Sequence, residues 1–315
     1  MSLPICRLRL GCAAPRLSQI TAGFALLEQK NLLHVCHASI TPLRAFYQHD
    51  HILEADFGND TILAYDLSGH NHELPPEQLA RLVRCFKRNY NPESHNEPAR
   101  KKLRPLGLNY PVTCPGNVFD SLAPQHATRL VPEDYLSHNS YPAYKALFIT
   151  QLLPPRDEPA ERANQLRLSV IRACRRNFGA QFTGGLEDSE HARAIAPDLI
   201  LPAHETRRSV LLRLLKENYV CITDGEQNLA EFTAAGRAIL TTPLRFHLPG
   251  KFERMRNYAT YDTADDCLRR LGELLSNTPR VHRMEAANFA YHNTHVRPDA
   301  LILQTLQDAL PEMFG

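Results

Sequence analysis

The chain has 315 residues, 43% hydrophobic and 22% charged, with a formal net charge of +2 at pH 7. These are the proportions of a folded globular protein and exclude a disordered one; the length suits two domains or one large α/β unit. Nearly balanced charge withholds the electrostatic footprint of a general nucleic-acid binder, so no nucleic-acid partner is expected.

Eight cysteines (Cys6, Cys12, Cys36, Cys85, Cys114, Cys174, Cys221 and Cys267) show no CxxC pair, and several fall inside apolar runs. Reduced, packed thiols in a reducing compartment are the expectation. The opening MSLPICRLRLGCAAPRL lacks a secretory apolar region, and no run of about 18 apolar residues occurs anywhere. A cytoplasmic location is the expectation, with peripheral contact at the inner face of a membrane left open.

In chain order, ICRLRLGCAA, ITAGFALLEQK and LLHVCHASI read as strand, helix and strand, a βαβ unit. HILEADF, GND and TILAYDL read as a hairpin. PPEQLARLVRCFKR has proline at a helix start and helical apolar spacing, and NYNPESHNEPARKKLRPLG reads as a polar, basic loop. LGLNYPVT reads as a return to strand. A boundary near Ser140 divides a first domain, 1–140, from a second, 141–295, with a final helix at 296–315. In the second half, KALFITQLL, the helical ERANQLRLSVIRACRRNF, QFTGG, DLILPA, RRSVLLRLLKENY, VCIT, NLAEFTAAG and AILTT alternate strand and helix, the pattern of a doubly wound sheet.

In open parallel sheets, ligands gather at the carboxyl ends of strands beside helix N-termini, where free amides favour anions. Strand VCIT ends at Asp224-Gly225 and a helix follows at once, so this turn is a candidate phosphate cradle. Glu231, inside that otherwise small and apolar helix, is placed to accept hydrogen bonds from a ribose diol. A carboxylate facing water and complementing the helix dipole accounts for the same residue from spacing alone.

GEQNLAEFTAAGRAILTTPL resembles the nucleotide-sugar-binding segment of GT-B glycosyltransferases, and NYATYDTADDCLRRLGELLSN with RMEAANFAYHNTHVRPDALI is similar to the usual end of that domain. The likeness covers roughly residues 141–310. LVRCFKRNY and RPLGLNY add a weaker resemblance to bacterial members that build surface polysaccharides. The resemblance implies an α/β chain of two Rossmann-like doubly wound domains facing a cleft, with the final helix packed back on the first domain. It implies transfer of a hexosyl or deoxyhexosyl group, with retention favoured over inversion, from a nucleotide-sugar donor to a glycan or glycolipid such as lipopolysaccharide core. No cofactor or metal is expected. Two alternatives stay open: a sugar-nucleotide epimerase of related fold, and a non-catalytic sugar-nucleotide-binding or scaffold protein.

By the same resemblance, Glu231, Gly225, Asn228, Arg156 and Tyr258 bind the donor, while Arg156, Asp224 and Glu226 are the catalytic candidates. Many retaining members carry a further carboxylate eight residues before the ribose-binding acid; here that position is Thr223, so Asp224 or Glu226 would have to substitute. Arg207 and Arg208 read as a solvated helix face, and Arg237 as a neutraliser of a helix C-terminus. Asn257, and Arg245 with His247, are loop candidates near the donor. In the first domain, Arg16 and Gln19 are placed to orient an acceptor hydroxyl, unless they form a plain βα loop. Lys87, Arg88, Lys101, Lys102 and Arg104, interleaved with Phe86 and Tyr90, form a basic neighbourhood suited to an anionic acceptor, or a solvated loop. His70 and His72 lack a third placed ligand and are weak evidence for metal; Asp66 or His70 would be the base of an inverting enzyme.

Overall fold

The computed structural model describes residues 3–12, 14–40, 43, 51–68, 75–126, 129–136, 143–154, 157–204, 208–226 and 228–315. The chain divides into two compact units. The first comprises Met1–Asp134, Arg245–Lys251 and Asn293–Gly315; the second comprises Tyr135–Leu244 and Phe252–His292. Both are α/β.

The first unit runs β1 (Ile5–Leu10), α1 (Ser18–Gln29), β2 (His34–Ile40), β3 (Ile52–Asp56), β4 (Ile62–Asp66), α2 (Pro76–Ala80), β5 (Arg84–Lys87), α3 (Glu97–Lys102), β6 (Leu103–Pro105) and α4 (Val118–Leu122). Its six strands lie in the order β2-β1-β3-β4-β5-β6. β1 and β2 pair in parallel, as do β4, β5 and β6, and β3, the first strand of the hairpin read at HILEADF–TILAYDL, runs antiparallel between β1 and β4. Its turn places Gly58, Asn59 and Asp60 at positive φ, which short polar residues and glycine tolerate.

Three local readings need correction here. The helix read over PPEQLARLVRCFKR ends after five residues, and RCFK is β5. The physical reason is a change of period: Cys85 and Phe86 are adjacent yet enter different apolar clusters, the alternation of a strand. The segment read as a polar loop holds α3, whose N-terminus Asn96 caps by accepting from the Ala99 amide at 3.0 Å. LGLNYPVT forms no strand.

The basic neighbourhood read in this region is largely engaged in bonds within the first unit. Lys87 is buried and donates to Asp66 Oδ2 at 2.5 Å, while Asp66 Oδ1 accepts from the Ser68 amide. Lys102 Nζ donates to the carbonyls of Leu79, Ala80 and Leu82, closing the C-terminus of α2. Arg104 donates to the carbonyls of Arg100 and Leu103 and pairs with Asp308. Only Lys101, paired with Glu97, reads as the solvated residue the pattern suggested.

The second unit runs β7 (Ala143–Thr150), α5 (Glu158–Phe178), β8 (Phe182–Leu186), α6 (Glu190–Ile195), α7 (Arg208–Glu217), β9 (Asn218–Thr223), α8 (Leu229–Ala234), β10 (Ala238–Thr241), β11 (Tyr258–Thr260), α9 (Ala264–Leu275) and α10 (Thr278–Tyr291). Five parallel strands lie in the order β11-β10-β9-β7-β8. Alternate residues of β7 serve opposite faces: Ala146 and Phe148 pack with Val170, Ile171 and Leu271 of α5 and α9, while Leu147 and Ile149 meet α7 and α8. DLILPA contributes only a bridge, Leu186 to Ile200, and a single helical turn.

The chain then re-enters the first unit and ends in α11 (Pro298–Ala309) and α12 (Pro311–Phe314). α11 lies against α1 so closely that a Cβ on Gly23 would sit 2.4 Å from the Pro298 carbonyl oxygen. Leu301, Ile302 and Leu306 join the same core as β1, β3 and β4, and Thr305 hydrogen-bonds the Tyr65 hydroxyl at 2.8 Å. Among the described residues no helix is long and apolar enough to cross a membrane. All eight cysteines are free, six of them buried.

Lys87→Met leaves the Asp66 carboxylate buried without its cation, an expected loss of about 3–5 kcal/mol in urea denaturation. Replacing both partners, Lys87→Met with Asp66→Leu, is expected to recover most of that loss.

Candidate functional site

The carboxyl ends of the second sheet are built by a few internal bonds. β9 ends at Thr223, whose hydroxyl donates to the Gly225 carbonyl at 3.3 Å; the Thr241 hydroxyl, at the end of β10, donates to the same oxygen at 3.3 Å. The Tyr261 hydroxyl donates to the Thr223 carbonyl at 3.0 Å. Two neighbouring strand ends thereby hold the 224–226 turn.

Asp224 is tied from outside the turn. Arg167, buried on α5, donates through Nε to Asp224 Oδ2 at 2.6 Å and through Nη1 to the Gln151 carbonyl at 2.5 Å. Asn164, one turn earlier, both donates to and accepts from the backbone of Leu153. One face of α5 therefore braces the segment leaving β7 and the turn leaving β9 together.

α8 is only six residues long. Asn228 precedes it at φ 66°, a left-handed conformation that asparagine tolerates, and its side chain does not cap the helix. Gly236, at φ 60°, stops it: the Gly236 amide donates to Thr233 and the Arg237 amide to Phe232, the bonds of a Schellman termination. Arg237 does bond the helix end, donating to the Ala235 carbonyl, but it is also buried against Asn218 and Glu285.

Glu231 is in the first turn of α8, with 13% of its side chain exposed. Its Oε1 lies 2.7 Å from Arg208 Nη2, and the same nitrogen donates to the hydroxyl of buried Tyr135 at 2.7 Å. Glu231, Asn228 and Arg208 line a small pocket of about 70 Å³ with Glu187 and the apolar wall of Leu147, Ile149, Leu211, Leu215 and Phe232. Burial raises the Glu231 pKa above the ordinary carboxylate value, and the Arg208 charge draws it partly back. For Arg208, burial works against its charge, but Glu231 and Tyr135 outweigh it and the net shift is upward.

The pocket thus brings together Glu231 and Asn228 from the sequence-derived set, with Gly225 and Asp224 in the preceding turn. Glu226 is partly exposed, and its carbonyl accepts from the Leu229 amide at 3.3 Å. Arg156, Arg207, His70 and His72 lie outside the described residues. Tyr258 is not brought to the pocket. It opens the edge strand β11, level with Ile239, with its ring stacked on Phe252 at 5.2 Å, while the pocket lies at β7 beyond β10 and β9. Asn257 is a buried brace, donating to Asn288 Oδ1 at 3.1 Å. Arg245 and His247 belong to the first unit, where the His247 amide donates to the Tyr90 carbonyl.

Gln19, read as an acceptor contact, is fully buried with both ends of its amide engaged. Nε2 donates to the Val296 carbonyl, and Oε1 accepts from Asn109 and from the Tyr110 amide. Arg16 contributes a carbonyl to Asn109. Among the described residues no group of three or more His, Cys, Asp or Glu is arranged to hold a metal ion.

Sequence reasoning took Arg208 for a solvated residue and missed Arg167 and Glu187. A signal for Arg208 was present: it precedes Leu211 and Leu215 at spacings of three and seven, so it lies on the buried stripe of α7 and not on the solvated one. Arg167 gave no such signal, because its partner stands 57 residues away.

No protein-family model matches the sequence, and no curated protein matches it. Several solved structures are similar. The Anabaena protein HepE, crystallised with UDP and glucose, shares 13% identity over 97% of this chain and 99% of its own, with a TM-score of 0.43. A glycosyltransferase from Rickettsia africae shares 8% identity over 79% of this chain and 70% of its own, at a TM-score of 0.48. The C-terminal domain of LpcC, a group 1 glycosyltransferase of Francisella tularensis, shares 9% identity over 52% of this chain and 96% of its own, at 0.39. The chain itself is an α/β protein of two Rossmann-like units, the second of them doubly wound on a wholly parallel sheet.

Because ionised Glu231 is less favoured in the folded protein than in the unfolded chain, its contribution to stability declines as pH rises from the ordinary carboxylate range through its raised pKa. Arg208→Met removes the compensating cation. It is expected to cost about 1–2 kcal/mol at pH 7, less than a fully buried pair because the guanidinium is 39% exposed, and to cost little near pH ~4, where the carboxylate is protonated. Denaturant titrations at the two pH values check this.

Proposed function

We propose that the chain is a GT-B-type glycosyltransferase whose second unit binds a nucleotide-activated sugar, with the donor ribose hydrogen-bonded to Glu231. One observation carries the reading: a nearly buried carboxylate, in the first turn of a helix at the carboxyl end of a parallel sheet, lines a pocket instead of facing solvent. A cis-diol supplies two donors in the geometry a carboxylate accepts, and the crevice outside the strand ends is where open α/β sheets bind nucleotides. The sequence likeness of GEQNLAEFTAAGRAILTTPL to the donor-binding segment of that fold supports the same assignment.

In this proposal Asn228 and Gly225 border the donor. α8 is too short for a strong dipole, so charge on the diphosphate falls to side chains, with Arg156 kept as the phosphate contact and as support for the leaving group. Of the two carboxylates proposed for the sugar, Asp224 is held by Arg167, so its reach toward a ligand is set by that pair. The first unit takes the acceptor, a glycan or glycolipid of the cell surface, by residues other than Gln19 and Lys87. Retention of configuration, absence of a metal and action at the inner face of the cytoplasmic membrane are parts of the same proposal.

A second reading has a specific observation behind it. Thr223 stands where retaining members carry a carboxylate, and its hydroxyl is spent on the turn backbone. A protein that binds a sugar nucleotide without transferring the sugar fits this substitution.

Calorimetric titration with a panel of nucleoside diphosphates tests the proposal. Glu231→Ala is expected to weaken the preferred nucleotide about tenfold, the ~1.4 kcal/mol of a charged hydrogen-bonding pair, with an otherwise intact fold. Unchanged affinity would remove Glu231 from the site. Tight binding by the unaltered protein without turnover on any cell-envelope acceptor would favour the second reading.

A further inference from the structure

Four arginines gather on the surface of the second unit with too few acids to match them. Arg254 and Arg256 flank Met255 in the turn before β11, Arg280 and Arg283 lie one turn apart on α10, and Met255, Arg256, Arg280 and Arg283 line one open concavity. Glu253 reaches Arg256 at 3.4 Å. Glu273 reaches Arg280 only at 3.9 Å, because it is shared with Arg269 and Arg270. Arg283 enters no ion pair among the described residues.

Like charges brought to one concavity repel, and the arrangement is relieved when an anion enters it. Phosphate, like carboxylate, is a group that planar guanidinium forks match in a bidentate fashion. Met255 narrows the choice. It is held at φ 70°, an unfavourable backbone for a long side chain, and 51% of the residue is exposed at the lip of the concavity, where its sulfur accepts from Arg280 Nη2 at 3.4 Å. Free inorganic phosphate accounts for the arginines and leaves the projecting methionine without a role. A phosphate headgroup joined to acyl chains accounts for both, with cations at the headgroup level and a flexible apolar side chain at the acyl boundary.

We propose that this face of the second unit docks on acidic phospholipid, seating lipid phosphates among Arg256, Arg280 and Arg283 with Met255 reaching into the acyl boundary. The site is separate from the Glu231 pocket and does not depend on what that pocket binds. It also differs from the basic neighbourhood suggested by the sequence, whose lysines are largely consumed inside the first unit.

Flotation of the full chain with vesicles tests it, comparing mixed phosphatidylglycerol and phosphatidylcholine with phosphatidylcholine alone. The unaltered protein is expected to float with the acidic vesicles only. Arg280→Gln with Arg283→Gln should reduce the floated fraction at least fivefold, and Met255→Ser at least twofold, with urea midpoints measured alongside to show that each variant is folded under the flotation conditions. Arg172→Gln with Arg176→Gln removes the same charge from an exposed face of α5 and should float like the unaltered protein. No flotation with acidic vesicles, an equal loss in the α5 control, or calorimetric binding of inorganic phosphate without vesicle binding would each overturn the proposal.

Discussion

A carboxylate kept at the edge of water is the constraint on which the second unit's site depends. Glu231 is too buried to be solvated and too exposed to be a core group, and one guanidinium facing it at 2.7 Å offsets part of what burial costs its charge. Arg208 in turn is fixed by Tyr135, so a residue at the unit's first position holds the orientation of an acid nearly a hundred residues on. Arg208 faces Oε1 of the carboxylate, and in the proposed site a ligand would bond the other oxygen.

The 224–226 turn near the acid is held in separable ways. Thr223 and Thr241 both bond the Gly225 carbonyl, so two strand ends fix one turn, while Arg167 and Asn164 join that turn to the segment leaving β7. These are buried polar groups in a low-dielectric region, where a satisfied network specifies one arrangement and a broken one is costly. A ligand placed against such a turn meets preset geometry and has little ordering left to impose.

The sequence made the second unit legible because parallel strands buried on both faces alternate with amphipathic helices, and each period announces its element. Helix α8 was legible through Gly236, which has to be where the chain takes a positive φ. The first unit was less so. The segment PPEQLARLVRCFKR passes from helical to strand period within a few residues, and the charges of Lys87 and Lys102 gave no sign that Asp66 and three carbonyls would absorb them. Glu231 and Asn228 line one pocket and could be named together because they are local to one motif. Arg208 was legible only through its spacing to Leu211 and Leu215, while Arg167 and the role of Asp224 were not, since they depend on each other across 57 residues. Tyr258 was assigned by its place in a motif, and its strand register carries it to the sheet's far edge.

The most direct measurement is a crystal structure of the chain with its preferred nucleoside diphosphate bound. The account predicts the ribose hydroxyls within hydrogen-bonding distance of the Glu231 carboxylate, with the diphosphate beside the 224–226 turn. A nucleotide bound elsewhere, with the acid still closed only by Arg208, would contradict it.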